Sequence, residues 1–215
     1  MGQGILPIVL QVAALVFAVC FHESAHGWVA LRCGDPTARD LGRISLNPLK
    51  HIDPVGSILL PALLAASGAP VFGWAKPVPV MLARTREPRR ANLLISAAGP
   101  ASNLLLAGLF ALVIALLRDR GVHPRHGLGA ALLFWFSLYA VVVNVVLAVF
   151  NLLPIPPLDG FGVLESLLPR SLAPLASTLR RYGMLVLLAL IFTGALRWLL
   201  GPAQSFLIRS LLGVG

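Results

Sequence analysis

Long apolar runs separated by short polar stretches form the basic pattern of this chain. Four runs reach the roughly 20 residues that a helix needs to cross a bilayer. They occupy residues 5–31, 93–117, 128–152 and 182–200. This pattern predicts an all-α polytopic membrane protein with about four full transmembrane helices.

Two further apolar segments are shorter than a full span. Residues 54–66 contain Gly56 and Pro61, and their length favours a re-entrant or partial insertion at least as much as a crossing. Residues 203–214 carry Arg209 among apolar side chains, which predicts a position at the membrane interface.

Composition agrees with a membrane protein. Hydrophobic residues make up 58% of the chain, charged residues 12%, and the mean hydropathy is +0.87, outside the range of soluble domains. The 17 Lys and Arg exceed the 8 Asp and Glu, but they cluster in short loops beside apolar runs, where cations orient helices in a bilayer. We therefore expect a lipid partner and no nucleic acid.

Without a polar stretch long enough for an accessory domain, residues 1–215 are expected to form one domain, with a core of about 5–160 and a C-terminal span of about 182–200.

Basic residues in two loops predict the orientation. The first loop contains Arg32, Arg39, Arg43 and Lys50, and the second contains Lys76, Arg84, Arg86, Arg89 and Arg90. Both loops are expected on the cytoplasmic side of the cell membrane. The apolar segment between them then cannot cross once, which favours a re-entrant segment or a tight hairpin for residues 54–66.

A metal-binding motif lies inside the first apolar run. His22 and His26 are four residues apart with Glu23 between them, so on a helix both rings share one face and the carboxylate reaches a metal-bound water. A charged group at the centre of a bilayer costs roughly 3 kcal/mol on insertion scales, so such residues are rare without a role. The spacing predicts two metal ligands and one general base.

The motif needs a third ligand, because a catalytic zinc normally has three protein ligands and one open position. Asp159 is the acid that follows an apolar span in a helix-breaking context, after three prolines and before Gly160. These residues allow its carboxylate to point sideways. Asp159 reaches the same depth in the membrane as the histidines only if residues 54–66 do not make one complete crossing of the bilayer.

Five stretches follow one another along the chain: FHESAHGW at 21–28, GRISLNPLKHIDPVGSILLP at 42–61, GWAKPVPV at 73–80, AAGPASN at 97–103 and NLLPIPPLDG at 151–160. In these stretches and in their order the chain resembles the site-2 proteases, a family of zinc intramembrane metalloproteases. The combination of HExxH with a later N-x-x-P-x-P-x-x-D-G in apolar helices is highly specific. No part of the sequence matches a PDZ or CBS domain, so it resembles the compact prokaryotic branch.

The resemblance implies a site and an activity. His22, His26 and Asp159 would hold one Zn2+ per chain, Glu23 would be the catalytic base, and Asn151 would position substrate or stabilise the oxyanion. The expected activity is endoproteolysis of transmembrane or membrane-proximal segments, as in regulated intramembrane proteolysis. The substrate would be a membrane protein with a transmembrane helix, and the site would face the cytoplasmic side.

Residues 71–82 have two open interpretations. Val71, Phe72, Val78 and Val80 alternate with other residues, as in an edge strand that pairs with an unwound substrate. The prolines in this segment remove backbone donors and are also compatible with a plain connecting loop.

Other polar residues are expected to have structural roles. Asn103 and Asn144 fall within apolar spans and are expected to pack between helices. His51 and Asp53 precede a proline and suit a turn. His123 belongs to a loop on the opposite side of the membrane from His22.

Two other functions compete with proteolysis. A metal transporter can carry similar intramembrane histidine pairs, and a noncatalytic scaffold can hold a structural zinc. Transport requires polar groups along a path across the bilayer, whereas here they gather around His22 and Asp159. A structural zinc has no need of Glu23.

Overall fold

The computed structural model describes residues 4–68 and 73–214, except for the side chain of Ala65. All regular secondary structure in these ranges is helical, which confirms the predicted all-α class. The helices are α1 (Ile5–Arg32), α2 (Thr37–Asp40), α3 (Leu60–Ser67), α4 (Pro88–Asp119), α5 (Leu128–Asn151), α6 (Asp159–Leu167), α7 (Ala173–Phe192) and α8 (Ala195–Leu212). A π-helical turn, Pro54–Leu59, leads into α3.

Four helical segments are long and apolar enough to cross a membrane: Ile5–Arg32, Pro88–Asp119, Leu128–Asn151 and Arg170–Phe192. The number confirms the prediction of about four spans. The first three contain the spans predicted at 5–31 and 93–117 and nearly all of the span predicted at 128–152.

Helices α1, α4 and α5 form the core of the protein. Ala30 of α1 packs against Ala91 and Ile95 near the start of α4, whereas Ala18 accepts a hydrogen bond from Asn103 further along α4. This order makes α4 antiparallel to α1. Small buried residues let the backbones approach closely; they include Ala14, Ala18, Ala30, Ala107, Ala140 and Ala148.

The antiparallel packing puts the end of α1 and the start of α4 on one side of the core. The intervening chain leaves and returns to that side, because the N–H of Trp74 donates to Gly56 O (3.0 Å) and that of Lys76 donates to His51 O (2.9 Å). Gly56 permits this return, since a Cβ there would lie 2.3 Å from the Trp74 ring. The arrangement supports the hairpin interpretation of residues 54–66 over a single crossing.

Within residues 73–82, the described part of the possible β edge at 71–82, no strand is formed. Residues 73–81 run without regular secondary structure, and no strand occurs in the described ranges. Val71 and Phe72 lie outside the described residues. An edge strand at residues 73–80 therefore remains a prediction that requires a bound partner.

The C-terminal region differs from its predicted boundaries. The run predicted as one span at 182–200 is interrupted, because α7 ends at Phe192 and Gly194 adopts a left-handed conformation (φ +73°). Such a glycine ends a helix at little steric cost. The chain reverses there and begins α8.

The interfacial position predicted for residues 203–214 is wrong. In α8, Leu200 packs with Leu153 near the end of α5, and Leu211 packs with Val141 further back along α5. The far end of α8 is also tied to α4, where Arg118 donates to Leu212 O at 2.7 Å. Thus α8 runs antiparallel along α5, and the exposed Arg209 marks only its outer face.

Candidate metal centre and active site

Helix α1 directs two imidazoles into the core. His22 and His26 are one helical turn apart, so both rings face α4. Their Nε2 atoms are 3.1 Å apart, and His22 is buried. The HExxH spacing therefore produces a pair of nitrogen donors between two candidate spans.

Helix α6 brings a carboxylate to the same point. Asp159 Oδ2 lies 3.1 Å from His22 Nε2 and 3.4 Å from His26 Nε2. The preceding proline-rich loop folds back tightly, since a Cβ on Gly160 would lie 2.2 Å from Leu152 O. The loop thus directs Asp159 sideways into the core, as the sequence predicts.

Two polar residues of α4 anchor α6 in this position. Asn92 donates to Gly162 O (3.1 Å) and to the Ser166 hydroxyl (2.9 Å). Arg89 donates to the carbonyls of Ser166 and Leu168, both at 2.6 Å. These four bonds attach α6 to the helix that also lines the histidine pair.

The hydrogen bonds of the two rings leave the converging atoms free for a metal. His22 Nδ1 lies 2.6 Å from Asn103 Oδ1, and His26 Nδ1 lies 2.6 Å from Ile95 O. Because both partners are oxygen acceptors, each Nδ1 carries the proton and each Nε2 presents its lone pair. Asp159 Oδ2 is buried and has no hydrogen-bond partner in the described part of the chain.

The spacing of these donors suits a tetrahedral ion. Ligands held at 2.0–2.1 Å around a tetrahedral zinc lie about 3.3 Å apart, close to the three separations of 3.1, 3.1 and 3.4 Å. Two lone pairs and a carboxylate oxygen repel one another at such distances unless a cation lies among them. The three residues therefore fit a metal, with His22, His26 and Asp159 as the available ligands.

The backbone of α4 forms one wall of this centre. A Cβ on Gly99 would lie 2.4 Å from His26 Nε2 and 2.6 Å from His22 Nε2. The absence of a side chain at Gly99 keeps free the space beside these two nitrogens.

Similarity to known proteins agrees with this geometry. The chain is 39% identical over 204 residues to YwhC of Bacillus subtilis strain 168, which is named as a zinc metalloprotease, and the match covers 95% of this chain and 86% of the relative. The profile of Peptidase family M50 matches residues 126–194, a range that contains Asp159 but not the HExxH motif. The chain belongs to this family, the site-2 protease family. It is therefore a zinc metallopeptidase, and its apolar helices make it a multi-pass membrane protein.

Two further relatives of this site-2 protease are mycobacterial and are also named as zinc metalloproteases. Rip2 of Mycolicibacterium smegmatis is 35% identical over 88% of this chain and 70% of the relative. Rip2 of Mycobacterium tuberculosis strain H37Rv is 34% identical over 93% of this chain and 76% of the relative. No solved structure matches the chain.

Two buried asparagines support His22 in this site-2 protease, although their positions within apolar spans predict only packing between helices. Asn103 accepts from His22 and donates to Asn144 Oδ1 at 2.8 Å, and Asn144 donates to Ala140 O at 2.8 Å. Both side chains are fully buried. A chain of oriented amides holds the ring in one tautomer. The signal available in the sequence was the cost of placing two amides within apolar spans.

The two residues predicted to act in catalysis have different surroundings. Glu23 Oε2 accepts a hydrogen bond from the N–H of Val78 at 2.9 Å, so its carboxylate contacts the segment that follows the hairpin. Asn151 ends α5 and donates to Leu147 O of its own helix at 2.9 Å. Among the described residues, no hydrogen bond joins the Asn151 amide to His22, His26 or Asp159, and its catalytic role remains a prediction.

The residues expected to have turn roles make local contacts. His51 Nε2 lies 2.6 Å from Ser45 O, and Asp53 Oδ1 accepts from the N–H groups of Val55 and Gly56. Asp53 thus caps the π-helical turn before α3. Neither side chain joins the proposed metal centre.

Proposed function

We propose that this zinc metallopeptidase is an intramembrane endopeptidase that cleaves peptide bonds in transmembrane or membrane-proximal segments of other membrane proteins. The observation that carries the proposal is the convergence of His22 Nε2, His26 Nε2 and Asp159 Oδ2 within a core made of candidate transmembrane helices. In this proposal these three residues are the zinc ligands, Glu23 is the general base and Asn151 contacts the oxyanion.

The position of the motif along α1 supports a site near one face of the membrane. From Ile5 to His22 the helix rises roughly 25 Å, and from His26 to Arg32 roughly 9 Å. The nearer end leads into the basic loops, which favour the cytoplasmic side of the cell membrane. The site would then lie within the bilayer but close to cytoplasmic water, the second reactant in peptide hydrolysis.

The residues of this chain divide the reaction between them. His22, His26 and Asp159 would hold the zinc, which would supply Lewis-acid chemistry to water and to the scissile carbonyl. Glu23 takes the proton of the attacking water and returns it to the leaving amine. Asn151 exchanges its bond with Leu147 O for one with the oxyanion, a type of contact whose loss costs ~10² to 10³ in rate.

The segment at residues 76–80, which has no regular secondary structure, offers a place for an unwound substrate. A helix in lipid has its peptide groups bonded internally, so cleavage requires local unwinding and new partners for those groups. Among the described residues, no hydrogen bond reaches the carbonyls of Val78 and Val80. Pairing would then rest mainly on N–H groups of the substrate donated to these carbonyls.

The experiment compares wild type with Glu23→Gln in proteoliposomes, with zinc content by elemental analysis and a panel of single-span substrates. We expect about one zinc per chain in both proteins and product from wild type alone. Zinc in both with no product from either would favour a scaffold, and zinc flux in both would favour a transporter. Product from Glu23→Gln at the wild-type rate would eliminate Glu23 as the base.

A further inference from the structure

Asp35 is a fully buried carboxylate just beyond the end of α1. Its Oδ1 accepts from both the N–H and the hydroxyl of Thr37, and its Oδ2 accepts from the N–H of Met81 at 2.6 Å. Burial alone would raise its pKa, but these hydrogen bonds outweigh burial and hold the pKa below its usual value. The carboxylate therefore stays ionised and attaches residue 81 to the end of α1.

Three residues earlier, the same segment contacts Glu23. The N–H of Val78 donates to Glu23 Oε2 at 2.9 Å. The Val78 side chain packs over Gly27 of α1, where an added Cβ would lie 3.3 Å from Val78 Cγ1. Both ends of the stretch from Val78 to Met81 are thus held against α1.

The backbone donors of this stretch have an unusual distribution. Residues 77–81 carry only three N–H groups, because Pro77 and Pro79 have none. Two of the three, those of Val78 and Met81, donate to side-chain carboxylates of α1 and its extension rather than to backbone carbonyls. Pro79 lies between them and restricts the backbone, so displacement of one donor is transmitted to the other.

We propose that Asp35 is a positioning residue for Glu23: by holding the N–H of Met81, it places the N–H of Val78 against one oxygen of the catalytic carboxylate. The fixed Oε2 orients the carboxylate, and the other oxygen is left to receive the proton of the attacking water. Asp35 itself does not contact substrate or metal. The inference rests on the proposed role of Glu23 as general base.

Asp35→Asn tests the contact between Asp35 and the N–H of Met81 with little change in side-chain volume. The carboxylate has two acceptor oxygens, whereas the amide has one acceptor oxygen and one donor NH2 group. The NH2 group therefore faces a donor N–H of either Thr37 or Met81 and cannot accept a hydrogen bond from it. We expect hydrogen–deuterium exchange of the Val78 and Met81 amides to rise roughly 10-fold, the effect of weakening one hydrogen bond to a charged group. We also expect kcat to fall roughly 10-fold with KM within about threefold and zinc content unchanged. Asp40→Asn, at an exposed carboxylate paired with Arg39, is the matched control and should match wild type in each measurement.

A backbone substitution tests the hydrogen bond from the N–H of Val78 to Glu23 without altering a side chain. Replacing Val78 by its α-hydroxy acid converts the donor N–H to an ester oxygen and retains the side chain over Gly27. We expect the same loss of kcat as in Asp35→Asn. The two changes together should lower kcat no further than either alone, because both remove one interaction.

Three results would overturn the proposal. One is unchanged exchange at Val78 in Asp35→Asn, another is unchanged kcat in the ester variant, and the third is full additivity of the two changes. The exchange measurement requires no substrate, so it decides whether Asp35 holds Val78 even if the intramembrane protease proposal fails. If Asp35→Asn loses zinc or does not fold, the single-atom change at residue 78 still tests the contact with Glu23.

Discussion

Gly99→Ala is expected to abolish high-affinity zinc binding while leaving the helical core intact. The added methyl carbon would lie 2.4 Å from His26 Nε2, 2.5 Å from His22 Cε1 and 2.6 Å from His22 Nε2. Real carbon–nitrogen contacts are about 1 Å longer. Either α4 or both rings must therefore move by about 1 Å, whereas metal–ligand distances tolerate only about 0.2 Å. A displacement of this size in a catalytic site lowers the reaction rate on the order of 100-fold.

The assay is zinc affinity by competition with a chromophoric chelator, together with the thermal unfolding midpoint of the zinc-free protein. Gly108→Ala on the same helix is the matched control, because a Cβ at Gly108 meets nothing within 4 Å. Both substitutions gain about 1 kcal/mol or less of helix propensity, so differences between them report the contact with the histidines. The steric reasoning is refuted if Gly99→Ala binds zinc within threefold of the control.

Three other perturbations have defined outcomes. Asn103→Leu removes the acceptor of the His22 Nδ1 proton, and we expect zinc affinity to fall roughly 10- to 100-fold in the same chelator assay; wild-type affinity would exclude the orienting role. The pKa of Asp35 is lower in the folded protein than in the unfolded chain. Its contribution to folding stability is therefore complete above the pKa of the unfolded state, about 4, and is lost as pH falls through the pKa of the folded state. The unfolding midpoint of wild type should therefore drop more steeply below pH 4 than that of Asp35→Asn, and parallel curves would contradict the assignment. Arg89→Ala removes two bonds from α4 to α6, so zinc affinity should fall through a less restrained Asp159, while Arg125→Ala in a distant loop should have no effect.

Patterns local in sequence predicted the membrane character and most elements of the site. Apolar run length identifies the core spans because a bilayer requires about 20 apolar residues whatever the tertiary packing. The four-residue interval between His22 and His26 defines a helix face for the same geometric reason. Prolines and a glycine around Asp159 indicated that the helix ends there and that the carboxylate is free to point inward.

The errors arose where long-range packing decides the outcome. Arg209 suggested an interfacial C-terminal segment, but α8 packs along α5 and keeps that charge on its outer face. Composition cannot distinguish these positions, because a helix with one cation on an exposed face suits both. The break in the span predicted at 182–200 has a similar origin. Gly194 adopts a left-handed conformation because the chain reverses there so that α8 can pack along α5.

The sequence by itself determined the class of the protein, its first three spans and the three candidate metal donors, because these depend on residue type and on spacing along the chain. Only the tertiary structure decided which groups support those donors. Asn103 lies 81 residues from His22 in the chain, and the N–H of Val78 lies 55 residues from Glu23. A hydrogen bond requires a distance of about 3 Å and a suitable angle, and helix packing sets both for residues so far apart in sequence.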